Sequence, residues 1–351
     1  YLRLYNFGFA QSRNLPKISE GMTKAIKLDI QLRGNGKMER FSGKIAGFLN
    51  GLATDEEIFR DEFFTDITLY DPKGKNVMLL GLDVLPDYRG QGLATEIVYI
   101  DIDKNKAAMQ ALDLDDMASN LDRDFTVRAG DYSDCADAHI VVMAAGKSRL
   151  PGQTRLDMFD DSIKMMNTIV GPLKESGFHG ILISISNPAD IIADFLRKRL
   201  GLPRSQVFST GTSLDSARLR RMLSEITGVS RHSIQAYCMG EHGDSQFIPV
   251  SHIQIGGIPV KEYLSIHPEY RDKMDFDKIS AEDKVCGFHI VEGKGCTEFG
   301  IGAVLSNITR AVMHDEKRIL PVSVLLEGEY GEQGVPAGVP CVIGKNGVEE
   351  I

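Results

Sequence analysis

A histidine that could carry a proton during catalysis stands at position 242, inside the run GEHGD at positions 240–244. Histidine titrates near neutrality, so it can donate or accept a proton at the pH at which most enzymes work. The apolar run at 234–239 predicts a strand that ends in a tight glycine turn and exposes the imidazole to a substrate. An ordinary histidine in a surface turn is the alternative that this motif alone leaves open.

A carboxylate and a guanidinium stand upstream, in the run GTSLDSAR at positions 211–218. If a helix begins here, Asp215 and Arg218 are three residues apart and share one face. The aspartate could hold an imidazole and support its positive charge, and the arginine could bind a substrate carboxylate with its bidentate fork. An exposed ion pair is the alternative for these two residues.

Strands and helices alternate through the middle of the chain. Strands are predicted at 96–103, 139–145 and 180–186, and helices at 104–120, 154–176 and after Pro188. Alternation of elements of this length favours an α/β fold with a parallel, doubly wound sheet. Beyond position 210 the pattern becomes α+β, with helices predicted at 215–227, 277–291 and 298–314 and strands at 322–326 and 341–343.

The composition disfavours several classes of function. The chain of 351 residues carries a formal net charge of −9, which argues against nucleic acid as a partner. No apolar run approaches the roughly 20 residues of a membrane helix, so no membrane partner is expected. The histidines and the five scattered cysteines show no metal-ligand spacing, which predicts no metal site, reduced thiols and a cytoplasmic location.

Two further runs, PGQTR at 151–155 and ISNPAD at 185–190, precede the two motifs described above. In this order the four motifs resemble the L-lactate/malate dehydrogenase family, from about residue 96 to residue 351. The resemblance implies an NAD-binding Rossmann-type domain at 96–210 and an α+β catalytic domain at 211–351 that lacks the last helix of the family. It also implies an NAD-dependent L-2-hydroxyacid dehydrogenase that acts on a small 2-keto or 2-hydroxy acid and forms a homo-oligomer, either a dimer or a tetramer.

The same resemblance implies the roles of the substrate-facing residues. His242 would be the proton donor, Asp215 its orienting partner, and Arg155 the group that polarises the substrate carbonyl. Arg218 would bind the substrate carboxylate. The other residues implied to contact the substrate are Asn187 and Thr297.

The cofactor implied by the resemblance is NAD. Asp101, at the end of a predicted strand, would bind the adenosine ribose. Ala144, Ala145 and Gly146, at the end of another strand, are small enough to let the cofactor approach the backbone. Asn187 would help to seat the nicotinamide.

Arg149 bears on the choice of substrate. Lactate dehydrogenases usually carry glutamine here and malate dehydrogenases carry arginine, which would favour a dicarboxylate such as oxaloacetate. Glu241 and Thr297 resemble the lactate type instead, and the run at 173–180 resembles 2-hydroxyisocaproate dehydrogenases. L-Lactate dehydrogenase is the favoured prediction, malate and 2-hydroxyisocaproate dehydrogenase are the alternatives, and an exposed loop arginine is the alternative for Arg149 itself.

The front of the chain, residues 1–95, departs from this pattern. Residues 43–94 resemble GNAT-type N-acetyltransferases, an α/β class, and the loop with Arg89, Gly90, Gly92 and Ala94 resembles their acetyl-CoA site. Because the resemblance stops near position 95, we expect an incomplete acetyltransferase segment. N-acetyltransferase is therefore an alternative function, and acetyl-CoA a second cofactor.

The glycine fingerprint of a dinucleotide-binding domain is also incomplete. Its G-x-G-x-x-G turn normally precedes the ribose-binding acid by about 20 residues. Here Gly92 precedes Asp101 by only nine positions, which leaves no room for the intervening helix. The sequence therefore predicts a fusion in which the first βα unit of the dehydrogenase is missing and NADH binding is weakened.

Overall fold

The computed structural model describes residues 96–119, 125–146 and 155–351, and in the last range it describes side chains from residue 161 onwards. The acetyltransferase-like segment at 1–95, with its loop at 89–94, lies outside the described residues. Arg149 lies outside them as well, and so does the side chain of Arg155. No helix in the described ranges is long and apolar enough to cross a membrane.

The described elements alternate along the chain much as the sequence predicts. The strands are β1 (Glu96–Tyr99), β2 (Thr126–Ala129), β3 (Ile140–Met143), β4 (Ile181–Ser184), β5 (Val207–Ser209), β6 (Ile234–Gln235), β7 (Gln254–Ile255), β8 (Ile258–Pro259), β9 (Arg318–Glu327), β10 (Gln333–Gly344) and β11 (Gly347–Glu350). The helices are α1 (Lys104–Ala118), α2 (Arg155–Glu175), α3 (Ala189–Leu200), α4 (Ser213–Thr227), α5 (Val260–Ile266), α6 (Phe276–Lys294) and α7 (Phe299–Met313).

A small parallel sheet opens the described part of the chain, where β1 pairs with β2. Helix α1, which lies between them in sequence, begins at Lys104 and is capped by Asp103. The Asp103 carboxylate accepts two backbone N–H groups of the first turn, each at 3.1 Å. One apolar cluster holds this unit together, and its buried members are Ile97, Tyr99, Ala107, Ala111 and Leu114. Within the described residues, this sheet shares no backbone ladder with the larger sheet.

The larger sheet has six strands in the order β11-β10-β9-β5-β4-β3. Strands β3, β4 and β5 are parallel, and helices α2 and α3 connect them. Strands β9, β10 and β11 are antiparallel, and β9 joins β5 through the pair Ser209 and Ser323. The predicted α/β class with parallel strands is confirmed, and one sheet continues from the first predicted domain into the second.

Alternation along β4 explains why its first three residues, Ile181, Leu182 and Ile183, are all apolar. Ile181 and Ile183 belong to the core cluster that includes α7 and β9, whereas Leu182 belongs to the cluster formed with α2 and α3. Successive side chains of a strand point to opposite faces, so a sheet covered on both faces requires a continuous apolar run. Each such side chain contributes about 1.5–3 kcal/mol on burial.

The run before His242 is not the regular strand that the sequence predicts. Strand β6 ends at Gln235, and the backbone of Cys238 is bound by side chains at the start of α4. Thr212 Oγ1 donates to the Cys238 carbonyl at 2.6 Å, and the Cys238 N–H donates to Ser216 Oγ at 2.9 Å. Because these side chains satisfy the backbone where a neighbouring strand would, the prediction of a strand over 234–239 is wrong between Gln235 and Met239. It holds for the first two residues and for Met239, which pairs with Phe247.

Candidate active site

The structure brings His242 and Asp215 together, although 27 positions separate them in the sequence. His242 Nδ1 lies 2.6 Å from Asp215 Oδ2. A carboxylate oxygen can only accept a hydrogen bond, so Nδ1 carries the proton and Nε2 is left for a substrate. The Asp215 side chain is 4% exposed and the imidazole is 27% exposed. The ring therefore reaches the surface above a buried carboxylate.

Arg218 binds the second oxygen of Asp215. Its Nη1 donates to Asp215 Oδ1 at 2.9 Å, one turn along α4, as the predicted helical spacing requires. The guanidinium lies against Gly287 of α6, where a Cβ atom would be only 3.2 Å from Arg218 Nη2. Since a guanidinium has five N–H donors and Asp215 uses one, the others can bind a further carboxylate.

Helix α4 can begin close to β9 because residue 211 is glycine. Gly211 has φ of 48°, in the left-handed region, and a Cβ atom there would lie 2.4 Å from the backbone nitrogen of Ser323. Glycine is the residue that adopts this conformation at low cost and leaves room for a neighbouring backbone. The turn places Asp215, in the first turn of α4, beyond the carboxyl end of β5, where α/β folds bind their ligands.

The loop that carries His242 is held by two other elements. The Gly240 N–H donates to the Gly338 carbonyl of β10 at 2.9 Å, and the Gly338 N–H donates to the Gly240 carbonyl at 2.7 Å. The backbone N–H of His242 donates to Asp190 Oδ2 at 2.9 Å. Asp190 stands in the ISNPAD motif, but the sequence analysis assigns it no role. His242 is thus held by α3, α4 and β10.

The charges around the imidazole favour its protonated form. Burial lowers the pKa of His242, but the hydrogen bond to Asp215 and the charges of Asp215 and Asp190 outweigh this effect and raise the pKa overall. Arg218 acts in the opposite direction. Burial would raise the pKa of Asp215, but the hydrogen bond and charge of His242 and the charge of Arg218 lower it. The pair is an ionised aspartate beside an imidazole of increased proton affinity.

The predicted cofactor residues at the ends of β3 and β4 lie beside each other. Ser186 Oγ donates to the Ala145 carbonyl at 2.6 Å, which joins the segment after β3 to the segment that carries Asn187. Ala144 adds only a methyl group, and a Cβ atom built on Gly146 would have no described atom within 4 Å. The structure therefore brings these residues to one edge of the sheet, where no atom of the described residues would obstruct a side chain at Gly146.

The other two predicted site residues with described side chains are Asp101 and Thr297. Asp101 follows β1 as predicted, is 8% exposed, and accepts the Asp103 N–H through Oδ1 at 2.8 Å. Thr297 is half-buried in the turn between α6 and α7. Within the described ranges, neither side chain is hydrogen-bonded to His242 or Asp215. Their assigned roles stay predictions.

The side chains of Arg149 and Arg155, two of the arginines predicted to face the substrate, lie outside the described residues. Arg155 is the first residue of α2, but its side chain lies outside the described residues, and Arg149 lies outside them altogether. The roles predicted for these arginines, carbonyl polarisation and substrate selection, remain predictions.

A second buried carboxyl group that the sequence did not predict, that of Asp283, is affected by the charge of Asp215. Asp283 of α6 is fully buried, and its Oδ2 accepts Gln246 Nε2 at 2.8 Å and the thiol of Cys238 at 3.3 Å. Burial raises its pKa to about 6, and the charge of Asp215 adds to this rise. Asp283 stands four residues after the buried Ile279 of the same helix. Residues at this spacing share one face of a helix, so the position of Asp283 could have predicted its burial.

The described ranges contain no group of three or more histidine, cysteine or acidic side chains that could hold a metal ion. All five cysteines fall in these ranges, and each is a free thiol.

Two family models match most of the chain. The NAD binding domain of lactate/malate dehydrogenase matches residues 81–209, and the alpha/beta C-terminal domain of the same family matches residues 212–351. L-lactate dehydrogenase 3 of Bacillus thuringiensis subsp. konkukian (strain 97-27) is 42% identical over 261 residues, which are 74% of this chain and 83% of the relative. L-lactate dehydrogenase of Priestia megaterium is 39% identical over 289 residues, or 81% of this chain and 90% of the relative.

Solved structures give a similar result. The minor L-lactate dehydrogenase from Enterococcus mundtii in its ligands-bound form matches with a TM-score of 0.73 and 35% identity, over 80% of this chain and 90% of that chain. The lactate dehydrogenase from Eimeria maxima with NADH and oxamate matches with a TM-score of 0.68 and 30% identity, over 73% of this chain and 78% of that chain.

The comparisons give no support to the acetyltransferase-like segment. Residues 1–54 match a probable transporter periplasmic core domain, and the loop at 89–94 falls within the match to the NAD binding domain at 81–209. The absence of a complete first βα unit is not tested by these matches and stays a prediction.

Proposed function

Because the chain belongs to the lactate/malate dehydrogenase family, we propose that it is an NAD-dependent L-lactate dehydrogenase, which interconverts pyruvate and L-lactate. The observation that carries the proposal is the His242–Asp215 pair with Arg218 on the same carboxylate. This cluster combines a proton donor with a cation that can bind a carboxylate. The relatives and solved structures named above are lactate dehydrogenases, so the malate, 2-hydroxyisocaproate and acetyltransferase alternatives are not favoured.

The described residues fit NAD, which when bound supplies the hydride for reduction of the keto carbon. Asp101 at the carboxyl end of β1 would bind the adenosine ribose. The small residues Ala144, Ala145 and Gly146 leave the backbone after β3 accessible to a flat ring. Asn187, tied to this segment through its neighbour, would contact the nicotinamide or the substrate oxygen.

His242 supplies the proton that completes the alcohol. With Nδ1 bound to Asp215, the proton on Nε2 passes to the substrate oxygen as a C–H bond forms at the keto carbon. In lactate oxidation the neutral Nε2 accepts the proton of the hydroxyl group. The increased proton affinity of the imidazole keeps it charged to a higher pH, so pyruvate reduction should persist to higher pH than with an isolated histidine.

Arg218 orients the substrate through its carboxylate. Because Nη1 is already paired with Asp215, the guanidinium is fixed before the substrate binds, which reduces the entropy lost on binding. Arg155, at the start of α2, would polarise the carbonyl oxygen, and Thr297 would line the pocket. Arg149 would favour a dicarboxylate if it faces the substrate, and we assign it no part in pyruvate binding.

The domain boundaries, the assembly and the location of the chain are proposals as well. A division into 96–210 and 211–351 is supported by the family matches, which meet between residues 209 and 212. A front segment is proposed at 1–95, although the match to the NAD binding domain already begins at residue 81. A homo-oligomer, either a dimer or a tetramer, is proposed from the family resemblance, and a cytoplasmic location is proposed because all five cysteines are free.

The test is oxidation of NADH by the purified chain with pyruvate, oxaloacetate and 2-ketoisocaproate. We expect kcat/KM to be highest for pyruvate. His242→Asn is the matched control, because it keeps a polar side chain of similar size but no titrating group. Turnover that is fastest with oxaloacetate would replace the lactate assignment by malate. A folded chain that oxidises NADH with none of the three acids would contradict the proposed function.

A further inference from the structure

Asp190 is a buried acid that contacts the proton donor through its backbone. It stands in the first turn of α3 and is 5% exposed, and its Oδ2 accepts the His242 N–H at 2.9 Å. Its Oδ1 has no hydrogen-bond partner among the described residues. A buried carboxylate with a free oxygen costs several kcal/mol unless a nearby charge compensates it. This cost makes a purely structural role for Asp190 a poor explanation, since an asparagine could make the same backbone contact.

The groups around Asp190 show which charge compensates it. Burial raises the pKa of Asp190, and the pKa stays above its ordinary value although the hydroxyl of Ser323, the His242 N–H and the charge of His242 act to lower it. Ser323 faces Asp190 from β9 but does not complete a hydrogen bond of good geometry, since its Oγ is also without a partner among the described residues. Glu241, the neighbour of His242, acts against ionisation. Among the described groups that act on Asp190, the His242 imidazolium is the cation that favours its ionised form.

The interaction acts in both directions. The charge of Asp190 adds to that of Asp215 in raising the pKa of His242, against burial and against Arg218. Asp190 is also three residues after Asn187, which is predicted to contact the substrate oxygen. The segment 187–190 therefore contains Asn187 and also binds the backbone of His242 through Asp190. A shift of this segment would move both residues together.

We propose that Asp190 is a positioning residue for the reaction, which holds the His242 backbone through Oδ2 and, with Asp215, stabilises the imidazolium through its negative charge. The inference rests on the proposed function, because it describes how the proton donor of that reaction is kept charged and in place. It makes Asp190 a second acid acting on the same imidazole, with Asp215 on the ring and Asp190 on the backbone.

Two substitutions separate the charge from the hydrogen bond. Asp190→Asn keeps an oxygen that can accept the His242 N–H but removes the charge, whereas Asp190→Ala removes both. Asp194→Asn is the matched control, because Asp194 lies one turn further along α3 and pairs with Arg197 and Lys198 instead. Circular dichroism confirms that each variant is folded before it is compared.

The first measurement is an NMR titration of the His242 ring in the full chain without cofactor. We expect Asp190→Asn to lower the pKa of His242 by about one pH unit, and Asp194→Asn to leave it as in the wild type. An unchanged His242 titration in Asp190→Asn would overturn the charge effect. This measurement does not depend on turnover, so it distinguishes failure of this inference from failure of the proposed function.

The second measurement is kcat/KM for pyruvate against pH. The alkaline limb of the Asp190→Asn profile should move to lower pH by the same amount, while its acidic plateau stays within about threefold of the wild type. In Asp190→Ala the plateau itself should fall by about tenfold or more, because the loop of His242 loses its anchor. A plateau in Asp190→Ala equal to that of the wild type would overturn the positioning role.

Discussion

Replacing Asp283 by asparagine is expected to change how the stability of the protein depends on pH. The carboxyl group is fully buried, and burial together with the charge of Asp215 raises its pKa to about 6. In the unfolded chain the same group has its ordinary pKa of about 4. The folded protein therefore binds this proton more tightly, and it loses stability as the pH rises from about 4 to about 6.

The size of the effect follows from the two pKa values. Their difference corresponds to about 3 kcal/mol, of which about 2 kcal/mol is lost between about pH 4.5 and about pH 8. Asparagine keeps an oxygen for Gln246 and for the thiol of Cys238 but has no proton to lose. Any cost of its buried amide N–H groups is the same at every pH. The stability of the variant relative to the wild type should therefore rise with pH.

Urea unfolding followed by far-ultraviolet circular dichroism measures this difference at each pH, since the chain has no tryptophan for a fluorescence assay. Glu282→Gln is the matched control, because Glu282 is the exposed neighbour of Asp283 on α6. Its curve should run parallel to that of the wild type. If the curve of Asp283→Asn does so too, the carboxyl does not titrate between the two pH values and the reasoning is refuted.

Three further predictions concern activity and the cofactor. His242→Asn should lower kcat/KM for pyruvate by about 100-fold or more, or about 3 kcal/mol of barrier; steady-state NADH oxidation measures this, and unchanged turnover would remove His242 from the mechanism. Arg149→Gln should raise kcat/KM for pyruvate relative to oxaloacetate, because it deletes a charge that only a dicarboxylate can pair; a constant ratio would indicate an exposed loop arginine. The third prediction compares the unmodified chain with a variant whose residues 1–95 are replaced by a strand, a G-x-G-x-x-G turn and a helix. In calorimetry the unmodified chain should bind NADH about 100-fold more weakly, because the variant restores several charge-assisted hydrogen bonds to the cofactor phosphates. Micromolar affinity in the unmodified chain would contradict this last prediction.

Where interacting residues are close in sequence, the sequence predicted their contact. Asp215 and Arg218 are three residues apart, and helical geometry alone brings them together. The glycines around His242 predicted a turn, and Gly240 does adopt a left-handed φ of 91°. The hydrogen bond between His242 and Asp215 was predicted from the family resemblance, because no local sequence pattern relates residues that are 27 positions apart.

Contacts between distant segments were not predictable from local patterns. Asp190 is 52 positions from His242, and Asp283 is 45 from Cys238. An acid in the first turn of a helix is ordinarily explained by the helix dipole, so nothing in the sequence marked Asp190 as buried. Strand β2 was missed for a different reason, since its four residues alternate between exposed and half-buried positions and include an arginine.

The backbone pairing between β5 and β9 determines whether the chain can be divided into fragments that fold on their own. The family matches meet at residues 209–212, yet Ser209 pairs with Ser323, and Phe208 is fully buried in one cluster with Val322 and Val324. A fragment that ended near residue 210 would expose Phe208 and an open strand edge, which is a template for aggregation. The two family domains are therefore modules of the sequence but not independent folding units. Any exchange of the front of this chain for another must leave β3 to β11 in one piece.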